Sequence, residues 1–500
     1  MRAPSLRGRV APATPGSWAP PEPPAQRRGL NRYRNIRLAA LIALAALSAA
    51  ACGERSDLRI ARRILENHRR RAGVKPLPGA QVVRLRLSAP PGREAAEGTE
   101  RIEWDGATYR ETVFSGGCTT VRGIQAGKAY LTDEDGVTRV TSEPTLSELL
   151  TRSYFWRRAY LFDDLENARI ALGPADAQTV SIRLTPRGGH PLLLILSNRG
   201  ELVGARSPRF QLTFASPRRM TDTSRPGAPV EAEISSITLP SDQMTDTQAG
   251  GWSARWPGAS SEAVFFRIGS GVGLDARLGG APVRIAFDAG ADGPIRVRAG
   301  LAQRLGLSPR PDVLGRRLAR AGPLEVGALS FPALWVQVSD EIPEGADAEA
   351  GGVFFREAVV EIDPANAHVR FHDPARWTAP AGYFRGLLDD DGDRPVAIVR
   401  QGSDTLRLRA GTGAAPGLLL APDSARRMGF SAPGSVAGEL RWGSAPIPPA
   451  PVAVLPAAFD SEWGDDGSLG FDALLRFHIF WDMPHRWAYL RPLDAAAGVR

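Results

Sequence analysis

Cysteine and lysine are scarce in this 500-residue sequence, which has only Cys52, Cys118, Lys75 and Lys128. Neither cysteine has a cysteine or histidine neighbour at the spacing of a zinc site, and a disulfide framework is excluded if Cys52 has another role. The formal net charge is +8, but the chain lacks a long basic stripe and any interleaving of aromatic with basic residues. These absences argue against a nucleic-acid site and predict no metal or other cofactor.

The sequence also lacks an apolar run long enough to span a bilayer comfortably. Residues 38–51, LAALIALAALSAAA, follow a basic segment and have the length of a signal-peptide core. The run ends directly before Cys52, and this arrangement resembles the bacterial lipobox, in which the cysteine is lipidated. The resemblance implies export to the periplasmic side of a bacterial membrane, with the outer membrane favoured. Ordinary signal-peptidase cleavage, with Cys52 incidental, is the alternative; if Cys52 is lipidated, Cys118 is expected to be a buried thiol.

Hydrophobic periodicity predicts one helix ahead of a strand-rich region, which runs from about residue 81 to 239, and a second helix within that region. Residues 55–73 have helical periodicity. A second helix is predicted from Thr145 to Leu161, where Thr145 and Glu148 are spaced as in a capping box. Apolar and polar residues alternate, as in strands, over 82–87, 99–104 and 180–184, and a strand-turn-strand is predicted over 192–203.

Four segments between residues 80 and 245 resemble the LolA and LolB lipoprotein carriers. They are residues 104–110, 123–136, 154–162 and 185–189. The resemblance implies a curved antiparallel sheet, closed over by helices, around an apolar cavity. That cavity would hold an acyl chain or hydrophobic peptide and would be lined in part by Phe155, Trp156, Tyr160 and Phe162. The alternative is that these aromatic residues are core packing only.

The second half of the chain contains an internal repeat. Residues 283–307 (VRIAFDAGADGPIRVRAGLAQRLGL) align without a gap with residues 406–430 (LRLRAGTGAAPGLLLAPDSARRMGF). The offset is 411 − 288 = 123 residues. Repetition this regular argues for one ancestral unit used twice.

Each copy has a hydrophobic strand, a short loop, a second strand and a short helix that ends in Gly-Leu or Gly-Phe. This order resembles the retropepsin-like and pepsin-like aspartic proteases over residues 262–495. The resemblance places Asp288, with Ala289, Gly290 and Ala291, at the family's catalytic motif. It implies two β-rich lobes, each of which normally contributes one aspartate to a dyad that shares a single proton.

The sequence departs from that family in both motifs. The second motif is Gly411-Thr412-Gly413, so glycine replaces its aspartate, and Ala289 replaces the usual hydroxyl residue of the first motif. A single carboxylate could still act as a general base on water, but it lacks the neighbouring acid. Pairing of two chains through their first lobes could restore a dyad, although the tethered second copy would occupy that place and a monomer is expected.

The histidines give no clear site. His368 and His372 are four residues apart on a predicted strand and therefore share a face. They could be two ligands of a metal, but no third ligand is identifiable, and a surface pair is the expectation. For His478 the sequence suggests no partner.

The predicted fold is mainly β and is divided into six segments. They are a signal segment (1–52), a helix and linker (53–79), the carrier-like domain (80–245), a linker (246–261), lobe 1 (262–378) and a degenerate lobe 2 (379–495). The predicted function is that of an exported, degenerate aspartyl-protease-family lipoprotein. It would bind an extended peptide or protein between the lobes, with weak Asp288-dependent proteolysis as an open question. The alternative is a carrier or sensor of a hydrophobic ligand, a lipid or lipoprotein, through the N-terminal domain.

Overall fold

The computed structural model describes thirteen stretches of the chain and three isolated residues. They are residues 57–71, 79–89, 96–141, 143–161, 168–223, 229–238, 254–268, 271–291, 293–391, 394–412, 417–430, 440–455 and 465–493, with residues 75, 77 and 94. The chain divides into two units, residues 1–59 and 60–500, and the first is described only at 57–59. Cys52, Phe162 and Gly413 lie outside the described residues. No described helix is both long enough and apolar enough to cross a membrane.

Thirteen strands of the described chain form one antiparallel sheet in the N-terminal part of the second unit. In sequence they are β1 (Gln81–Ser88), β2 (Glu97–Asp105), β3 (Thr108–Ser115), β4 (Cys118–Gln125), β5 (Lys128–Thr132), β6 (Thr138–Val140), β7 (Arg169–Ala175), β8 (Thr179–Thr185), β9 (Leu192–Ser197), β10 (Leu202–Ser207), β11 (Phe210–Ser216), β12 (Arg219–Asp222) and β13 (Val230–Thr238). Successive strands pair as neighbours, and β1 pairs with β13, so that β6 and β7 lie at the two ends. The predicted strands at 82–87, 99–104, 180–184 and 192–203 are all present.

Alternation fixes which face of this sheet is buried. Val83, Leu85 and Leu87 of β1 are buried, whereas the arginines between them are exposed. Successive side chains of a strand point to opposite faces, so this pattern presents one apolar face to a core. That core includes Ala61 and Leu65 from helix α1, whose helical residues are 57–71.

A second helix, α2 (Glu143–Trp156), packs on the same core and is followed by a 3-10 turn (Ala159–Leu161). It begins at Glu143, two residues before Thr145, so Thr145 lies inside the helix and is not its N-cap, and the helical prediction is otherwise confirmed. Glu148 does not face that cap, because its carboxylate accepts a hydrogen bond from Arg122 at 3.3 Å. This contact draws the residue toward the sheet.

An ion-pair cluster fixes α2 to the sheet. The fully buried Glu111 of β3 accepts hydrogen bonds from Arg122 at 2.6 Å and from Arg152 of α2 at 2.7 Å, and it contacts the Tyr109 hydroxyl. Burial alone raises the pKa of Glu111, but the guanidinium groups of Arg122 and Arg152 outweigh burial and hold it below its ordinary value. Arg152 is itself buried, so removing either partner would leave an uncompensated buried charge.

Residues 260–492 contain two successive sets of elements in the same order, and the sets are called the first and the second lobe below. The first contains β14 (Ser260–Ile268), β15 (Gly271–Leu278), β16 (Ala281–Phe287), β17 (Ile295–Val297), α3 (Ala299–Arg304), β18 (Arg310–Pro311), β19 (Arg317–Val326), β20 (Leu329–Val338), β21 (Ala348–Ala350), α4 (Gly352–Glu357), β22 (Val359–Asp363) and β23 (His368–His372). The second contains β24 (Phe384–Asp391), β25 (Arg394–Gln401), β26 (Asp404–Ala410), β27 (Leu418–Leu420), α5 (Pro422–Arg427), β28 (Leu440–Trp442), β29 (Ala445–Ile447), β30 (Val452–Val454), β31 (Gly467–Leu469), α6 (Phe471–Leu474), β32 (Phe477–Asp482) and β33 (Trp487–Pro492).

The internal repeat of the sequence reappears as a repeated strand pairing. In the first lobe β16 pairs with β21 and β17 with β20, both parallel. In the second lobe β26 pairs with β31 and β27 with β30, also parallel. The offset of 123 residues extends into the helices, since α5 begins 422 − 299 = 123 residues after α3. The mainly β fold predicted from the sequence is confirmed.

One antiparallel sheet joins the two lobes. Its strand order is β14-β23-β22-β32-β33-β24, and the pair β22–β32 crosses from one lobe to the other. The apolar side chains of both lobes belong to one core that contains Phe354, Phe371, Trp442 and Trp481. The relative position of the loops at the lobe junction is therefore set by a shared sheet and a shared core.

The acidic β5–β6 turn of the N-terminal sheet docks against the first lobe. The Trp335 backbone N–H donates to Asp135 at 2.8 Å, Arg316 lies 3.0 Å from Glu134, and Arg356 pairs with Asp133. Side chains with few exposed atoms make these pairs, so water screens them little. The predicted buried thiol is confirmed nearby: Cys118 is free and buried, and burial raises its pKa to about 12.

Candidate functional site

Asp288 lies directly after β16, in the loop predicted to carry the protease-type motif. Its backbone N–H donates to Ala350 at 3.0 Å, and its Oδ1 accepts from the Gly290 N–H at 2.8 Å. Gly351 passes so close beneath this loop that a Cβ there would lie 1.8 Å from the Asp288 carbonyl oxygen. A glycine is therefore required at the crossing, and the Gly290 N–H holds the carboxylate.

Thr412 ties the second-lobe loop to the first. Its Oγ1 accepts from the Ala289 N–H at 2.7 Å and donates to the Phe287 carbonyl at 2.9 Å, while its own N–H donates to Asp288 Oδ1 at 3.0 Å. Thr412 and Ala289 are completely buried. The structure thus brings Asp288, Ala289 and Gly290 against Gly411 and Thr412, and Ala291 lies beside them, its N–H bonded to the Asp288 carbonyl oxygen at 2.9 Å.

The position opposite Asp288 carries no carboxylate. An added Cβ at Gly411 would meet no atom within 4 Å, so this position opens into free space. The charge of Asp288 acts on the carboxyl group of Glu349, whose pKa is raised by burial, lowered by Arg296 and raised further by Asp288. Glu349 is however paired with Arg296 at 2.7 Å. The junction therefore presents one held carboxylate and no proton-sharing dyad among the described residues.

A cavity of about 510 Å³ lies in the N-terminal sheet domain. Its inner wall is apolar and aromatic and includes Leu77, Val83, Phe155, Trp156, Tyr160 and Phe214. Phe155 is in contact with the rings of Trp156 and Tyr160, with centroid distances of 5.4 and 6.2 Å. Three of the four aromatic residues predicted for a pocket therefore line one, and they are buried as well. These aromatic residues therefore both line a cavity and pack in the core.

The polar residues around this cavity were missed by the sequence analysis. Arg71, Arg158 and Arg199 line it with His68, and the His68 ring Nδ1 lies 2.6 Å from the Gly200 carbonyl oxygen. His68 is three residues after Leu65 on α1 and shares its buried face. That helical spacing could have identified His68 from the sequence as a residue that faces the core. Arg199 lies in a turn far away in sequence, so no local pattern indicated that it lines the cavity.

A third cluster lies on the interlobe sheet. Glu361, Asp363 and His478 are buried and their potential ligand atoms lie within 4.8 Å of one another. Both oxygens of Glu361 are engaged, by His372 Nε2 and His478 Nε2 at 2.7 Å each. Arg491 is 3.1 Å from His478 Nδ1; because a guanidinium only donates, His478 carries its proton on Nε2. This arrangement favours a hydrogen-bonded network over a metal site.

The two histidines of the expected surface pair are partly exposed, and each has a carboxylate partner. The side chain of His372 is only 18% exposed and pairs with Glu361, and His368 pairs with Glu262 at 2.7 Å. Neighbouring strands supply these partners: Glu361 of β22 and Glu262 of β14 flank β23. The sheet register thus explains partners that the sequence spacing alone could not reveal.

Replacing Glu361 by glutamine is expected to flatten the acid side of the stability profile. Burial raises the pKa of Glu361, but hydrogen bonds from His372 and His478 outweigh it and lower the pKa to about 2. Because the pKa is lower in the folded state, the ionised Glu361 stabilises the fold at any pH above about 4.5, the pKa of the unfolded state. This stabilisation is lost as the pH falls from 4.5 toward 2. The full loss is about 3 kcal/mol, of which about 2 kcal/mol falls between pH 7 and pH 3. Urea unfolding at pH 7, 5 and 3 measures it.

The matched control is Glu262→Gln, which removes a half-exposed carboxylate of the same sheet. This variant should keep the acid-dependent loss of the unmodified chain. Equal pH dependence in the Glu361→Gln variant and the unmodified chain would contradict the role given to Glu361.

Comparisons with known proteins give weak likenesses to two different folds. No protein-family model and no curated protein matches the chain. A putative outer membrane lipoprotein-sorting protein domain from Vibrio parahaemolyticus is 13% identical over 37% of this chain and 95% of its own, with a TM-score of 0.25. A LolA superfamily protein from Nitrosomonas europaea is 13% identical over 36% of this chain and 93% of its own, with a TM-score of 0.24.

An aspartic proteinase from Irpex lacteus is also similar, at 12% identity over 48% of this chain and 99% of its own, with a TM-score of 0.32. The solved structures similar to this chain thus include both lipoprotein-sorting domains and an aspartic proteinase. Similarities this weak do not indicate a function for this chain. A function has to be argued from the side chains described above.

Proposed function

We propose that this protein binds an apolar chain, such as the acyl chain of a lipid or lipoprotein, in the cavity of its N-terminal sheet domain. The main support for this proposal is the cavity of about 510 Å³ with aromatic walls. Small-molecule sites are typically concave, mostly apolar and roughly 300–1,000 Å³ in volume. The cavity has the size and lining of such a site.

The apolar wall gives the binding its driving force. Burial of apolar ligand surface releases about 25 cal/mol per Å². Phe155, Trp156 and Tyr160 are held by α2 and the 3-10 turn, and the Glu111 ion pairs fix α2 to the sheet. A rigid wall loses little conformational entropy when a ligand enters.

The location that fits this role is the cell envelope, with a lipid anchor at Cys52. The basic segment, the apolar run and the small residues before Cys52 support export and anchoring. An anchored protein with an acyl-chain cavity would act at a membrane surface, as a carrier or as a sensor of its ligand.

Blocking the cavity is expected to weaken binding of an acyl-chain probe. Val203 lines the cavity and is half-buried, so Val203→Trp would fill part of the space. Titration of the full-length chain with a fluorescent fatty-acid probe should give a Kd at least about tenfold higher for the variant. The control Val140→Trp changes a 52% exposed side chain of the same sheet and should bind normally. Equal binding by Val203→Trp and the unmodified chain would contradict the proposal.

A second proposed role is the binding of an extended peptide at the lobe junction. It is favoured by the Thr412 tie, which holds Asp288 between the lobes through bonds of 2.7 to 3.0 Å. Oδ1 of Asp288 already accepts two backbone N–H groups. Oδ2 has no protein donor within the described part of the chain and would accept a peptide N–H or a water. With no second carboxylate opposite Asp288 among the described residues, any cleavage would proceed by general-base catalysis.

A further inference from the structure

The charged residues of the cavity are predominantly cationic. Arg71, Arg158 and Arg199 line it, against one carboxylate, Glu201. Arg71, Arg199 and Glu201 are exposed, whereas the aromatic wall is buried. The cavity therefore has an apolar interior and a rim on which positive charge exceeds negative charge. A ligand that matches both parts is apolar along its length and negatively charged at one end.

Two buried ring nitrogens that belong to lining residues have no hydrogen-bond partner among the described residues. They are Nε1 of Trp156 and Nε2 of His68, and their side chains are 7% and 1% exposed. A buried polar atom without a partner costs about 1–3 kcal/mol. Other buried atoms of the described residues share this state, among them Nε1 of Trp104 and of Trp481, but Trp156 and His68 are the ones whose residues line the cavity.

The chemistry of each nitrogen restricts what it can bind. An indole N–H only donates, so Trp156 needs an acceptor. His68 Nδ1 donates to the Gly200 carbonyl, because a carbonyl oxygen can only accept. Nε2 of the neutral ring therefore accepts, or takes up a proton and then donates. An acidic oxygen group matches the chemistry of each nitrogen, since it offers acceptor oxygens to an indole N–H and can share a proton with an imidazole.

We infer that the ligand of this cavity is an anionic amphiphile, with an acyl chain along the aromatic wall and a carboxylate or phosphate at the arginine rim. This inference rests on the proposed function and adds the charge of the head group. Arg71 and Arg199 supply the complementary charge, and guanidinium groups bind carboxylates and phosphates through two parallel hydrogen bonds. A neutral or cationic head group would leave Glu201 as the one lining carboxylate against three arginines.

The test compares probes of one chain length that differ only in the head group. The full-length chain would be titrated with palmitate, hexadecyl phosphate and hexadecanol, each displacing a neutral fluorescent probe. The variants are Arg71→Glu with Arg199→Glu and, as a control, Arg183→Glu, which changes an exposed arginine of β8 outside the cavity lining.

The double variant is expected to bind palmitate or hexadecyl phosphate about tenfold or more weakly than the unmodified chain, and hexadecanol within about twofold. The control should bind all three normally. Stronger binding of palmitate than of hexadecyl phosphate would assign the rim to carboxylates, and the reverse order to phosphates. Equal affinity for hexadecanol and both anions, unchanged in the double variant, would overturn the inference and leave the proposed function standing. If the neutral probe itself does not bind, the proposed function fails as well.

Discussion

Replacing Gly411 by aspartate is expected to produce an acid endopeptidase. The position aligns with Asp288 at the offset of 123 residues, a Cβ there meets nothing within 4 Å, and Thr412 already ties the two loops. A second carboxylate opposite Asp288 would share one proton with it, which supplies the acid that the single carboxylate lacks. Cleavage of a fluorogenic peptide library between pH 3 and 6 should rise about 10²- to 10⁴-fold, the usual contribution of a positioned acid or base.

Two further variants make the expectation specific. Gly411→Asn has nearly the same shape without the charge and should not gain activity. Gly411→Asp combined with Asp288→Asn should lose the gain, and pepstatin should inhibit only the variant with both aspartates. Activity of Gly411→Asp no higher than that of Gly411→Asn would show that the loops do not hold the two carboxylates in a dyad.

The sequence predicted the strand-rich fold well because alternation is a local signal. The alternating segments of β1, β2 and β8 were all readable from residues close in sequence. The gapless repeat had the same advantage, since it required only a comparison of two 25-residue segments. From it the meeting of Asp288 with Thr412 could be expected, although the residues are 124 apart.

What could not be predicted depends on partners from distant strands. Glu361 and His478 meet only because β22 pairs with β32 across the lobes. His68 reaches Gly200 only because α1 packs on the turn before β10, 132 residues away. The start of α2 was placed too late because Thr145 and Glu148 have cap spacing, whereas Arg122 of β4 holds Glu148 instead. In each case a tertiary contact outweighs the local pattern.

The two proposed sites belong to one compact unit and can be tested separately. The acidic turn at 133–135 joins the sheet domain to the first lobe through ion pairs and the Trp335 N–H. Changes at Gly411 lie in the interlobe loops, and changes at Val203 lie in β10 of the N-terminal sheet. Gly411→Asp should therefore leave probe binding unchanged, and Val203→Trp should leave the lobe junction intact.

The most direct test of the proposed function is the identity of what the cavity holds when the protein is purified from a cell envelope. Organic solvent extracts non-covalent ligands and leaves a lipid bound to Cys52 on the protein. Mass spectrometry of the extract should find an acyl-chain compound at roughly one molecule per protein for the unmodified chain, and less than about a tenth of that for Val203→Trp. Equal amounts of acyl compound in the two extracts, or none in either, would contradict a ligand-binding role for this cavity.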